Sequence, residues 1–184
     1  LDTVEFLLDH GVDATDRETM RLALQAKHRG IISALLIHGV FTDSTLLVQA
    51  IETGDRVIVE MFLNRNQNVN SKDELTGITM LVRAIWQRDT RMFSMLVDHG
   101  ADMSASDLEG KTIIHHAAEQ GTVDILNLLI SNGGDMLEES DDRSIPRDFA
   151  EHGWNAWMTG SGGHRECEQC AVILDDLMRQ HRLD

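Results

Sequence analysis

The stretch DLEGKTIIHHAAEQGTVDILNLLISNGGD, residues 107–135, decides how the chain folds. Thr112 is placed to cap a short helix through its hydroxyl, and Ile113, Ile114, Ala117 and Ala118 give that helix an apolar face with small residues where a neighbour must come close. Gly121 breaks it. A second helix, from about Val123 to Ile130, carries Val123, Ile125, Leu126, Leu128, Leu129 and Ile130 and is apolar over most of its circumference. Gly133 after it suits a left-handed helix end. One such pair cannot bury that surface alone, whereas copies stacked on one another can.

The copies are present. EFLLDHGVD (5–13), SALLIHGVF (33–41), EMFLNRNQN (60–68), SMLVDHGAD (94–102) and NLLISNGGD (127–135) align as one phrase, at spacings of 28, 27, 34 and 33 residues. An upstream phrase repeats too, since TMLVRAIWQRD (79–89) lies 33 residues before TIIHHAAEQGT (112–122).

On these residues the chain resembles the ankyrin-repeat family. The 107–135 stretch follows the family phrase of Asp, two variable residues, Gly, one more, then Thr-Pro-Leu-His, Ala-Ala, Gly, an apolar helix and Gly-Ala-Asp. It departs at Ile113, where the family prefers Pro, and at Gly134, where it prefers Ala. The segment 70–89 keeps Asn70, Asp73, Gly77, Thr79, Leu81 and Ala84, with one extra turn residue and Val82 in place of the histidine; SIPRDFAEHG (144–153) is a last unit with Pro146 and Ala150. Earlier units, around Ala23 and Ala50, keep the second-helix leucines but have lost most of the turn signature.

The resemblance implies an all-α solenoid of stacked helix-turn-helix units with a capping C-terminal helix. It divides the chain into an array over 1–157, with a half unit at 1–12 and a divergent end from 138, a Gly-rich insertion at 158–166 and a cap helix at 167–184. It further implies a protein-interaction module, part of a longer protein, that binds through its turn tips and the concave side of its first helices. Position by position, the tips are Glu74, Leu75 and Ile78, then Leu108, Glu109 and Lys111; the first helices offer Trp86, Gln87, Glu119, Gln120 and His152. The counterparts of Trp86 are Glu52 and Glu119, so the fold accepts polar side chains there, and its indole either forms a binding hot spot or covers a gap between imperfect units.

Charge narrows the partner. The net charge is −15, and residues 93–184 hold 18 acidic against 6 basic side chains, while residues 1–92 hold 13 against 10. Phosphate-backbone binding needs the opposite sign, so the expected partner is another protein, with a basic or extended segment, and not a nucleic acid. No apolar run approaches the roughly 20 residues that span a bilayer, and two cysteines cannot staple a chain of this length. These features point to an intracellular protein, cytoplasmic or nuclear, acting as a monomer away from membranes.

The residues that invite chemistry read as structure. His115 and His116, neighbours on a helix, point about 100° apart and cannot chelate one ion from one face. By the resemblance His115 stabilises the turn through hydrogen bonds, and His116 packs between units or lies at the surface. His10, His38 and His99 each precede the glycine that ends a second helix, where a cation is favourable. No nucleophile elbow or phosphate-binding glycine cluster is present, so no enzyme activity and no cofactor are expected. EESDD (138–142) lacks the alternating ligands, Gly and closing Glu of a calcium loop and reads as a solvated turn.

HRECEQC (164–170) supports a second reading, a zinc-holding or redox-sensitive cap. His164, Cys167 and Cys170 would be the ligands, with His152 or His181 as the fourth, but three donors without a second paired motif make a weak signal. The preferred reading is a loop feeding the cap helix, preceded by WNAWMTGSGGHRE as an insertion whose tryptophans cover the open end of the stack, with Cys170 packed inward and Cys167 nearer the surface.

Overall fold

The computed structural model of the chain describes residues 17–39, 43–65, 67–158 and 164–181. The half unit at 1–12 with His10, the Gly-rich stretch 159–163 and the side chains of Trp154, Trp157 and His181 lie outside the described residues. Among the described residues the helix is the only extended regular element, and the chain divides between Ser71 and Lys72 into two compact units.

The first unit holds four helices: α1 (Arg17–Gln25), α2 (Arg29–Ile37), α3 (Ser44–Glu52) and α4 (Arg56–Leu63). Each spans only eight or nine residues, too short to persist in water without a partner face. Their stability comes from the apolar residues they enclose, among them Met20 and Leu24 of α1, Leu35 of α2, Leu47 and Ile51 of α3, and Phe62 of α4. Asp43 and Asp55 cap α3 and α4 by accepting from Leu46 N–H and Val57 N–H. Arg29 reaches across to Asp55 at 2.7 Å, so the same carboxylate also ties α2 to α4.

The second unit repeats the pairing three times. α5 (Met80–Trp86) and α6 (Thr90–Asp98), α7 (Ile113–Glu119) and α8 (Val123–Ser131), and α9 (Pro146–Met158) and α10 (Cys167–His181) are the successive pairs. First helices pack on first helices, α5 on α7 on α9, and second helices on second helices, α6 on α8 on α10. Phe93, Leu96, Ile125, Leu126 and Leu129 are buried between them, each contributing about 1.5–3 kcal/mol. His99 closes α6 with its Nδ1 2.8 Å from Met95 O, a cap made through the ring rather than through charge alone.

The last pair departs from two expectations. The segment beginning at Trp154 is not an insertion at its start: α9 runs on through Met158, 13 residues against seven in α5 and α7. Cys167 is not near the surface but fully buried, its thiol donating to Glu119 O at 3.0 Å. Two glycines make room for it. A Cβ on Gly153 would lie 2.4 Å from Glu119 O and 2.9 Å from Cys167 Sγ; one on Gly121, whose φ is +63°, would lie 2.6 Å from Cys167 N.

Candidate functional site

In the second unit the turn that precedes each first helix is built by an aspartate. Asp73 Oδ1 accepts from Leu75 N–H, Thr76 N–H and Thr76 Oγ1; Asp107 Oδ1 accepts from Glu109 N–H and Lys111 N–H; Asp142 Oδ1 accepts from Ser144 N–H and Ser140 Oγ. These bonds fix each carboxylate as the acceptor of its turn, and they hold Asp73 and Asp142 below the usual carboxylate range, chiefly through the Thr76 hydroxyl for Asp73 and the Ser140 hydroxyl for Asp142. The tips are then stitched edge to edge. Leu108 N–H donates to Thr76 O, and Asp141 N–H donates to Glu109 O, each at 3.1 Å.

A cleft of about 580 Å³ opens beside the second and third tips. Leu108, Glu109 and Lys111 form one wall and Glu119, at the end of α7, another. Asp141, Asp142 and Asp148 face them, with His152 of α9 at the margin and Phe149 as the floor. Five carboxylates thus surround one lysine. Lys111 Nζ lies 2.8 Å from Glu109 and 5.1 Å from the centre of the Phe149 ring. Burial lowers its pKa, but the bond to Glu109 and the fields of Glu119, Glu109 and Asp107 outweigh that and hold it above the usual value. Among the described residues the carboxylates of Glu119 and Asp141 accept no hydrogen bond and form no ion pair within 4 Å.

Behind the cleft, the adjacent histidines do separate work. His115 Nδ1 accepts from Thr112 N–H at 3.1 Å, and its Nε2 donates to Ser144 O of the next turn at 3.2 Å, which assigns the neutral Nε2–H tautomer. Asp148, 33 residues on, takes the same place, accepting from Ile145 N–H at 3.0 Å. His116 Nε2 donates to Asp107 Oδ2 at 3.0 Å, so the helix braces the carboxylate that shapes the tip. Asp73 and Arg83 form the corresponding pair one unit earlier, at 3.8 Å. Burial lowers the pKa of both histidines, in His116 against the opposing pull of Asp107.

The sequence-predicted residues divide as follows. Glu74 and Leu75 stand exposed at the first tip, Leu75 at 88%, and Leu108 at 63% and Glu109 at the second. Ile78 does not belong with them: it is 7% exposed, because its carbonyl accepts Asp73 N–H and draws it under the tip. Trp86 is 46% exposed and meets the His116 ring edge-on at 6.3 Å, so it both covers the α5–α7 junction and presents an open face. Gln87 is exposed, while Lys111, Glu119 and Gln120 are half-buried, the Gln120 carbonyl accepting from Arg88. Leu108, Glu109, Lys111 and Glu119 come together at the cleft.

Sequence reasoning missed the far wall, Asp148 and Phe149, and gave Asp141 and Asp142 no fixed place. It also missed the Asp107–His116 pair, whose signal is the same pairing of turn acid with helix donor seen at Asp73 and Arg83.

Both cysteines of the motif are fully buried, and burial raises the Cys167 pKa and pushes Cys170 up to about 12. Among the described residues no three His, Cys, Asp or Glu side chains are grouped to hold an ion, and His164 is not brought to both sulfurs in such a group. Among the described residues no helix is long and apolar enough to cross a membrane.

Residues 47–142 match the family described as Ankyrin repeats (3 copies). Among curated relatives, an ankyrin repeat protein of fowlpox virus (strain NVSL) is 30% identical over 100 residues, 54% of this chain and 23% of its own. The B-cell lymphoma 3 protein homolog of Mus musculus is 28% identical over 91 residues, covering 50% of this chain and 20% of its own length. Protein phosphatase 1 regulatory subunit 27 of Homo sapiens is 29% identical over 111 residues, 60% of this chain and 72% of that protein. The chain therefore spans less than a quarter of the first two relatives. Among solved structures, the ankyrin repeat domain of Bcl-3 superposes with a TM-score of 0.70 at 23% identity, over 80% of this chain and 72% of that one. With more than half its length matched and the helix pairs and braced turns in place, the chain belongs to the ankyrin-repeat family.

Proposed function

We propose that this chain is a protein-binding module whose contact surface is the row of turn tips and first-helix ends in residues 72–152, and that its partner presents a basic, extended segment. Ankyrin repeats are a general protein–protein interaction module, which supplies the class of activity. The observation that carries the finer reading is the cleft itself: five carboxylates around one already-paired lysine, beside exposed leucines on tips fixed by backbone hydrogen bonds. A cation entering it meets negative potential on three sides and a rigid surface, so little ordering is needed on binding. The relative named as a regulatory subunit of protein phosphatase 1 is named for its action with another protein, which agrees with a binding role here.

The test is affinity capture from cell extract with wild type and a Trp86→Ala, Glu109→Lys double variant, each checked by thermal melting. The proposal expects a set of proteins, enriched in basic segments, that wild type holds and the equally stable variant loses. Identical captured sets from both proteins overturn the surface assignment.

A further inference from the structure

The tip row is not uniform along its length. Leu75 and Leu108 are the most exposed large apolar side chains of the second unit's tips, and they sit on adjacent turns joined by the Leu108 N–H···O=C Thr76 bond. Two such leucines side by side on a braced surface differ from the scattered apolar exposure of any protein. Leu108 is also on the rim of the cleft, so the apolar row leads directly into the acidic one.

Inside the cleft, Glu119 on one side and Asp141 on the other accept no hydrogen bond among the described residues, and Glu119 is half-buried. Lys111 cannot serve both, being committed to Glu109 and lying over Phe149. Glu119 and Asp141 line the same cleft, so a cation with several N–H donors meets both carboxylates there. A guanidinium does this with its fork of N–H groups, whereas an ammonium is a point charge that keeps its hydration more firmly.

We propose that the surface reads a bipartite element, an arginine entering the cleft between Glu119 and Asp141 together with a neighbouring apolar side chain resting on Leu75 and Leu108. The assignment rests on the binding reading above and narrows it from a basic segment to an apolar–arginine pair. Lys111 then acts as a selectivity residue, since its charge opposes every cation that enters. Removing that charge strengthens binding of a basic ligand and weakens binding of an acidic one.

The probes are four short capped peptides, alike except at one pair of positions: Leu-Arg, Leu-Lys, Leu-citrulline and Ser-Arg. Binding is followed by amide chemical shifts of the whole chain, with melting curves confirming that each variant is folded. The Leu-Arg peptide is expected to move the amides of Leu108, Gly110 and Phe149, and each of the other three to bind at least about fivefold more weakly, in line with a lost fork, charge or apolar contact. Glu119→Gln is expected to weaken Leu-Arg by a similar factor, and Lys111→Gln to tighten it by about two- to fivefold. If Leu-Lys or Ser-Arg binds as well as Leu-Arg at the same amides, the bipartite assignment is wrong while the basic-segment reading stands. If none of the basic peptides moves the cleft amides, both fail. If Lys111→Gln weakens Leu-Arg, the cleft does not take the cation.

Discussion

The α3–α4 pair and the α7–α8 pair are built alike and finished differently. Each encloses a row of aliphatic side chains, and each turns between its helices at a glycine with positive φ, Gly54 at +68° and Gly121 at +63°. A Cβ on Gly54 would meet nothing within 4 Å, but one on Gly121 would collide with the start of α10. Ahead of α7 stands a tip braced by Asp107 and His116; ahead of α3 the described chain supplies only the Asp43 cap. The apolar phrase therefore makes the pair, and what is attached to its two ends decides whether a braced tip and a further helix stand against it.

The largest effects should be the same in both units. Phe62→Ala in α4 and Phe93→Ala in α6 each remove a fully buried ring and should each cost about 3–5 kcal/mol in urea unfolding. A small cost for either would break the equivalence of the two units as packed cores. The glycines should then separate them. Gly121→Ala combines left-handed strain with backbone contact and should cost about 2–5 kcal/mol, against about 1–2 kcal/mol for Gly54→Ala, where only the strain applies. Equal losses would mean that α10 is not seated as described.

A smaller effect concerns pH. Because burial lowers the folded pKa of His115 and His116 from 6.5, the unfolded chain binds their protons more readily. Stability is then full above pH 6.5 and falls as the pH drops through that value towards the folded pKa, by at most about 1.4 kcal/mol per pH unit for each ring. Urea midpoints measured from pH 8 to pH 5 should show this decline, with a shallower slope in His116→Gln. Asp73 and Asp142, with lowered pKa values, lose their contribution only near and below about pH 4, so the decline that begins at pH 6.5 is not theirs.

The helix pairs were legible in the sequence because three- and four-residue apolar spacing is a local signal, and the role of His115 was legible because it falls on the histidine of the family phrase. Ile78 misled because a tip residue's direction depends on its carbonyl bond to Asp73, which no spacing reports. The burial of Cys167 depended on two glycines, at 121 and 153, in separate segments. Gly153 inside a helix, where it costs about 1 kcal/mol relative to Ala, is the trace that such a close approach leaves. The far wall of the cleft escaped because Asp148 and Phe149 stand where the preceding unit has His115 and His116. The periodic alignment that found the repeat concealed the substitution that shapes the site.

Surface changes at the tips should have the smallest effect on stability, and on that separation the account stands or falls. The direct measurement is fluorescence anisotropy of a labelled Leu-Arg peptide against wild type and the Trp86→Ala, Glu109→Lys variant, with melting curves of the same samples. The account predicts Tm values within about 2 °C of each other and binding weakened by about tenfold or more in the variant. Binding kept at wild-type strength, or lost only in step with Tm, would contradict it.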